Sequence, residues 1–496
     1  RSTNLLYKGA KNMSSIISNQ NLMETTKIPW QKLKKSVDET ELEFETTAEV
    51  PTLTSIVGQE RGRAAMSFGL KVNKSGYNIY VSGIAGTGKT SYTNSIVQDF
   101  ANVSSPLFDW CYVYNFEDSA NPRILKVPAG CGKSLKADIP EMIEQLKNDI
   151  PRAFNEESYQ KERQAIVRNF KEESSRVFQN MNQIANQYGF FVRQASSGLV
   201  TIPLIDGRPI SEEEFRSLND EQRKEMDQNS ALLQERLVEF TNDMRKMEKK
   251  VKSDLEALDS KVASIPVGYL MGELMKKYEE VEEIIDYLKE VQTDILNNTN
   301  DFHQNDEEEE NPFSTLFHRK SDTTNKYHIN LLIDNSTRKG VPVVNAENPT
   351  YYNLMGKVEY ENRMGVLSTD FTKIKPGYLH QANGGYLILQ AKDLLSNTFA
   401  WEALKRALKN ESLRIENIEE KIGVATTTSL RPEPIPLHVK VILIGSPDIY
   451  QLLFHYDEDF RKLFKIRADF DVEMDYNTRN IKYFASFIHT RCKEEG

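Results

Sequence analysis

The sequence predicts an α/β fold: a parallel sheet with helices on both faces, interrupted by a long helical coiled-coil insertion. Three observations predict it. Gly83-Ile-Ala-Gly-Thr-Gly-Lys-Thr90 has the pattern of a phosphate-binding loop. Strand-like and helix-like segments alternate again after residue 325. Between them lies a charged stretch whose apolar residues recur at steps of three and four over many turns.

The loop has the flanks it needs. Tyr77 to Val81 reads as a buried strand and Ser91 to Phe100 as a helix. Glycines at such a turn let backbone N–H groups point inward at phosphates, and the helix behind offers its positive N-terminus. The nucleotide-binding residues are therefore expected at Gly83, Ile84, Ala85, Gly86, Thr87, Gly88, Lys89, Thr90 and Ser91. Lys89 would reach the β- and γ-phosphates of ATP, and the Thr90 hydroxyl would hold Mg²⁺.

The totals narrow the class. A chain of 496 residues is too long for one ordinary domain. With 39% hydrophobic and 27% charged residues it reads as soluble and globular, with a large helical share. A net charge of −10 gives no general attraction to nucleic acid or an anionic membrane. Cys111, Cys131 and Cys492 lie far apart with no metal-type spacing, which suits a reducing compartment. No run of 18 apolar residues and no signal-peptide pattern occurs, so a cytoplasmic location is expected. The chain starts at Arg1, with Met13 as its first methionine, and residues 1–26 read as a leader outside the fold.

Taken in order, residues 27–135 hold an N-terminal segment and the first part of the core. Trp30 and Leu33 are expected to anchor that segment. Ile56-Val-Gly-Gln-Glu60 opens a helix over Arg61 to Leu70. Asp109 to Asn115 is expected as the second strand of the main sheet, and Asn121 to Gly130 as turn, strand, turn. Residues 136–325 form the insertion. One arm carries Leu233, Leu237, Phe240, Met244, Met247, Val251, Leu255, Leu258 and Val262, and the rhythm resumes over Leu274, Tyr278, Val281, Ile285 and Leu288. Ile166, Phe170, Val177, Met181 and Ile184 mark the antiparallel partner arm. Gly189 to Val192 and Gly198 to Ile202 suggest a small β element at the tip, with Ser211 as a helix N-cap beyond it. The arm is either a plain spacer or a substrate or partner contact. Asn305 to Glu310 is a solvated acidic run. The core resumes over 326–474, with strands at Tyr327–Asp334, Val341–Val344, Gly385–Leu389 and Val439–Ile444 and a helix over Thr398–Leu408. Residues 475–496, with a helix over Asn480–Cys492, begin a helical lid.

Several motifs together resemble the Lon-type AAA+ family, in its LonB-like bacterial branch. They are Gly83–Thr90, Asn121–Gly130, Asn348–Gly356, Ile374–Gly385 and Phe399–Leu408. The resemblance runs from about 27 to 496. It implies a homo-oligomeric, hexameric ring that binds ATP·Mg²⁺ between subunits and draws unfolded or damaged proteins through a pore to a serine-lysine protease. By family position, Tyr352, Leu354 and Met355 would grip substrate in that pore. Arg461, with Arg467 as the alternative, would be the arginine finger reaching a neighbour's nucleotide. Ser446 falls where a polar sensor residue, typically Asn, is expected.

The chain also departs from the family pattern. The strand ending at Leu389 should be followed by two acids, one for the Mg²⁺ shell and one for the attacking water. Gln390 and Ala391 stand there instead, leaving Asp393 or Glu402 as substitutes away from the expected place. No Ser/Lys dyad or Ser-His-Asp set suggests itself among the sequence's residues, and the lid arginine and protease domain that the resemblance leads one to expect are not read in it.

Two readings follow. The first is the ATP-binding module of an ATP-dependent serine protease that unfolds protein substrates. The second is a degenerate, non-hydrolysing ring that uses nucleotide only for assembly. A DNA-associated ATPase with a coiled coil is the weakest reading, given short arms, no Leu-Ser-Gly-Gly signature and the acidic balance.

Overall fold

The computed structural model describes residues 27–34, 42, 44–52, 58–103, 105–195, 198–205, 207–211, 214–215, 217–302, 323–363, 366–417 and 430–495. The leader, Ile56, Val57 and the acidic run 305–310 lie outside the described residues.

The first half of the core is short. Helix α1 (Glu60–Lys71) turns Met66 and Leu70 inward. Strand β1 (Ile79–Ser82) is buried along its whole length. The glycine-rich loop then leads into helix α2 (Lys89–Ala101), which buries Thr93, Val97 and Ala101. Trp30 and Leu33 do not anchor the N-terminal segment: they are 77% and 71% exposed. Gln59 fastens the entry to α1 instead. Its amide donates to the Asp471 carbonyl at 2.9 Å and accepts from the Asp471 N–H at 2.7 Å.

The next strand is not in the main sheet. Strand β2 (Phe108–Val113) pairs antiparallel with β3 (Arg123–Pro128) on one side. Its other edge is held by Asn330–Ile333, far along the chain. The reason is electrostatic. Asp109 on β2 is fully buried, and its carboxylate accepts from the N–H groups of Gly130 (2.7 Å), Gly132 (3.2 Å) and Asn335 (2.8 Å). That ties β2 to the start of helix α3 (Cys131–Phe154) and to the chain returning from the insertion. A carboxylate with three backbone donors needs no cation beside it.

Helix α4 (Glu157–Gln187) leads to an antiparallel hairpin of β4 (Phe190–Ala195) and β5 (Gly198–Ile205). Helix α5 (Asp220–Lys277), 58 residues long, returns along α4. The pairing is antiparallel. Tyr159 donates to Asp259 at 2.7 Å near the base, while Phe178 meets Phe240 with centroids 6.0 Å apart towards the tip. Leu233, Phe240 and Leu258 are buried on this seam, and the other six residues of the four-three repeat are half-buried. At the tip Ser211 and Glu214 exchange reciprocal hydrogen bonds of 2.9 and 3.2 Å, as a capping box does. The rhythm from Leu274 to Leu288 is not one helix. The chain breaks after Lys277, where Tyr278 donates to Asp138 at 2.6 Å, and restarts as α6 (Glu282–Asn297).

Strand β6 (Asn330–Ile333) closes the three-stranded sheet. The Tyr327–Asp334 strand therefore belongs to this sheet and not to the main one. The main sheet resumes at β7 (Val343–Ala346), followed by β8 (Tyr386–Gln390), which leads directly into α7 (Ala391–Ser396). Helix α8 (Ala400–Asn410) comes next, then β9 (Lys440–Gly445), α9 (Pro447–Tyr456), α10 (Glu458–Leu463) and β10 (Ile466–Asp469). Helix α11 (Thr478–Glu495) follows. The five strands run β10-β1-β9-β8-β7, all parallel. Ile79, Val81, Ile388, Ile442 and Ile444 pack on α1 and α2 on one face. Tyr80, Leu387, Leu389 and Leu443 pack on α8 to α10 on the other. The chain leaves β1 for the far edge, returns, and ends on the opposite side of β1. Such a reversal opens a crevice at the C-terminal ends of the strands, and the glycine-rich loop stands there.

Candidate functional site

The loop is shaped for an anion. Gly86 and Gly88 sit at φ of 85° and 73°, which glycine adopts without strain. A side chain at Gly86 would meet nothing within 4 Å, so that part of the loop faces open space. At Gly83 a Cβ would come within 3.0 Å of Thr87 Oγ1 and of the Phe470 Cβ, so the start of the loop is closely packed. Lys89 is the first residue of α2, and its ammonium donates to the Ile84 carbonyl at 2.7 Å, across the mouth of the loop. Partial burial lowers the Lys89 pKa. Thr87 also donates to Ile84 at 3.0 Å. Ser82, at the foot of the loop, has a buried hydroxyl with no hydrogen-bond partner. These residues fit a polyphosphate: a cation, two glycines at positive φ beside open space, a 13-residue helix beginning at the loop, and a spare hydroxyl.

The end of β8, two strands away, is built differently. Gln390 closes β8 and is half-buried, whereas Ala391 is fully buried. Ala391 faces Gly445, where an added Cβ would come 2.9 Å from the Ala391 methyl and collide with the Tyr80 hydroxyl. Tyr80 occupies the rest of that space. Its hydroxyl donates to the Ser446 carbonyl at 2.8 Å, and its ring meets Tyr450 and Phe460 at 5.2 and 5.9 Å. Burial raises the Tyr80 pKa strongly, so it stays a neutral phenol. Tyr80 was not singled out from the sequence. Its one signal was an aromatic residue in a strand otherwise suited to aliphatic packing.

The expected catalytic residues are not brought together. Asp393 is exposed on α7. Glu402 is exposed on α8 and pairs with Lys405 at 2.8 Å. Ser446 does not stand free as a sensor: it caps α9, its Oγ accepting from the Ile449 N–H at 3.3 Å. Pro447 at the first helical position is the sequence signal for that cap. Arg467 lies over Tyr450 at 4.3 Å and donates to Asp469 at 2.7 Å, which commits it within the chain. Arg461 is exposed on α10, its guanidinium 5.7 Å from the Phe454 ring centroid. Asp457, a possible partner for Arg461, is taken by Trp401 (2.8 Å) and Lys405 (2.7 Å). Burial alone would raise the Asp457 pKa, but the bonds from Lys405 and Trp401 outweigh it and hold it low.

The expected substrate-gripping residues are core. Leu354 and Met355 are 0% and 3% exposed, packed in the main hydrophobic cluster, and Tyr352 is half-buried against it. Thr350 caps their short helix by accepting from the Asn353 N–H at 3.2 Å, which turns both side chains inward. Two cavities lie away from the loop. One of about 630 Å³ is at the other end of the strands, where β1, β8 and β9 begin, beside Asn78, His438 and Lys440. Another of about 760 Å³ lies between Asn121, Arg123 and Arg431.

Residues 339–471 match a family model described as the LonB-like AAA domain, which covers β7 to β10. Residues 109–142 match a second, the Lon-like LonC helical domain, beginning at β2, where the three-stranded sheet also begins. Over these two stretches the chain is similar to Lon-like families. A 96-residue stretch, 18% of this chain, is 35% identical to a putative Lon protease homolog of Escherichia coli (strain K12). The stretch spans 15% of that relative's length. Among solved structures, that of NtrX from Brucella abortus shares 15% identity over 26% of this chain and 27% of its own, with a TM-score of 0.19. That likeness is too slight to bear on function. AAA domains of this family generally bind ATP with Mg²⁺. Among the described residues no helix is long and apolar enough to cross a membrane.

Proposed function

We propose that this chain is the nucleotide-binding AAA module of a Lon-like protease relative, acting on protein substrates within a homo-oligomeric ring. ATP enters the Gly83–Thr90 loop and serves as a conformational and assembly ligand, with little or no turnover. One observation carries this reading. The Gly83–Thr90 loop keeps its glycines and its lysine, while the position that would carry the water-activating acid, at the end of β8, is Ala391, fully buried and facing Gly445. Arg461, exposed on α10, is the residue that would reach a neighbouring subunit's nucleotide. The helix pair α4–α5 serves as a coiled-coil arm projecting from the ring. Substrate contact passes from Leu354 and Met355, which are core, to residues that face solvent.

Thermal unfolding with saturating ATP tests the reading. The midpoint is expected to rise for the native chain and not for Lys89→Ala, because only a ligand bound to the folded state stabilises it. An equal response in both, or none in either, contradicts it. Fluorescence anisotropy of a labelled, permanently unfolded protein, with and without ATP, tests the substrate half. Anisotropy that ignores this chain under both conditions contradicts that half.

A further inference from the structure

The loop is fit for phosphates and unfit for the metal that normally accompanies them. Side chains 386 and 388 of β8 pack on the α2 face, so residue 390 points to that same face, beside the loop. A carboxylate there would ordinarily hold Mg²⁺ or its water shell, and this chain presents the Gln390 amide. The carboxylates nearest in the sheet are engaged elsewhere. Asp469, in register with Ser82, is paired to Arg467 at 2.7 Å, and Asp471 is paired to Arg61. Among the described residues no group of three or more His, Cys, Asp or Glu side chains could hold a metal ion. The oxygens that the loop and the end of β8 present, the hydroxyls of Thr90 and Ser82 and the Gln390 amide, are neutral.

We infer that the loop takes the nucleoside triphosphate as its metal-free anion, with an affinity that does not depend on Mg²⁺. The inference rests on the nucleotide-binding reading above. In an ordinary site the carboxylates repel a bare triphosphate, and the metal offsets that repulsion. Without them, removing the metal carries no electrostatic penalty from the protein. Lys89, the loop N–H groups and the α2 N-terminus then face the full negative charge of the ligand. The hydroxyl of Ser82, 1% exposed and unpartnered at the foot of the loop, is a further polar atom for that ligand or its water.

Calorimetric titration with ATP, in excess Mg²⁺ and then in excess EDTA, decides it. The two dissociation constants are expected to agree within about threefold. Gln390→Asp, which restores the carboxylate at a half-buried strand end, is expected to open a gap of about tenfold, through weaker binding in EDTA. A native chain that already binds ten times or more tightly with Mg²⁺ overturns the inference. So does a folded Gln390→Asp variant with an unchanged ratio. If that variant does not fold, the native ratio still decides. Absence of ATP binding in both buffers overturns the nucleotide reading and the inference with it, whereas Mg²⁺-dependent binding that Lys89→Ala abolishes leaves the reading standing and removes only the inference.

Discussion

Two strand ends on one sheet, those of β1 and β8 with β9 between them, have had opposite fates. At the end of β1 the chain keeps glycines, a lysine at the head of a long helix, and open space in front of Gly86. At the end of β8 it has closed up: Ala391 fills, Tyr80 seals, and Ser446 caps a helix. Phosphate binding draws on backbone N–H groups and one cation. Hydrolysis needs an acid in a particular place, and packing has taken that place. The difference teaches that a phosphate loop by itself licenses a ligand and not a reaction.

The comparison can be broken most directly at the open end. Lys89→Ala should weaken ATP binding by about 100-fold or more, read by calorimetry, since a charged donor to phosphate is lost. On the closed side, the largest effect is expected at Asp457. There Lys405 and Trp401 are held on one carboxylate oxygen, while the other caps α10 by accepting from Phe460 N–H at 3.0 Å. Asp457→Ala should cost about 3 kcal/mol in denaturant unfolding, because it takes from a largely buried ammonium the better-buried of its two carboxylate partners and removes the α10 cap.

On the short helix Tyr378–Gln381, His380 is buried, and its pKa is pushed from 6.5 down to about 4 by that burial. Its Nδ1 accepts from the Gly377 N–H at 3.2 Å. The unfolded chain takes up the proton below about 6.5 and the folded chain only below about 4. Stability is therefore full above that window and falls as pH drops through it, by at most about 3 kcal/mol. His380→Gln should flatten that part of the pH profile. A smaller effect is expected from Ala391→Glu. Crowding against Gly445 and Tyr80 should cost about 1–3 kcal/mol and restore no turnover. Arg461→Ala should be the quietest, moving the unfolding midpoint by about 1 °C or less, because the side chain is exposed.

Much of the open end was legible in the sequence, because the loop spacing, the strand before it and the helix after it are all local features. The strands at 343–346, 386–390 and 440–445 were legible too, within two residues, from apolar runs bounded by turns. The arm was readable because a four-three repeat of apolar residues survives over eight turns. What failed was non-local. Phe108–Val113 has the composition of any buried strand, and nothing in it says which sheet it joins; Asp109 decides that through partners at Gly130, Gly132 and Asn335. Leu354 and Met355 were assigned by family position, which carries no information about burial. Ala391 and Gly445 are small residues whose meaning depends on Tyr80, more than 300 positions away in sequence.

One measurement tests the central claim most directly: single-turnover conversion of radiolabelled ATP by an excess of the chain, with Lys89→Ala as the blank. The account predicts that the native chain binds the nucleotide and returns it unhydrolysed, at a rate no different from the blank. Conversion to ADP that depends on Lys89 would mean that an acid other than residue 390 or 391 activates water, and the closed end would not be closed.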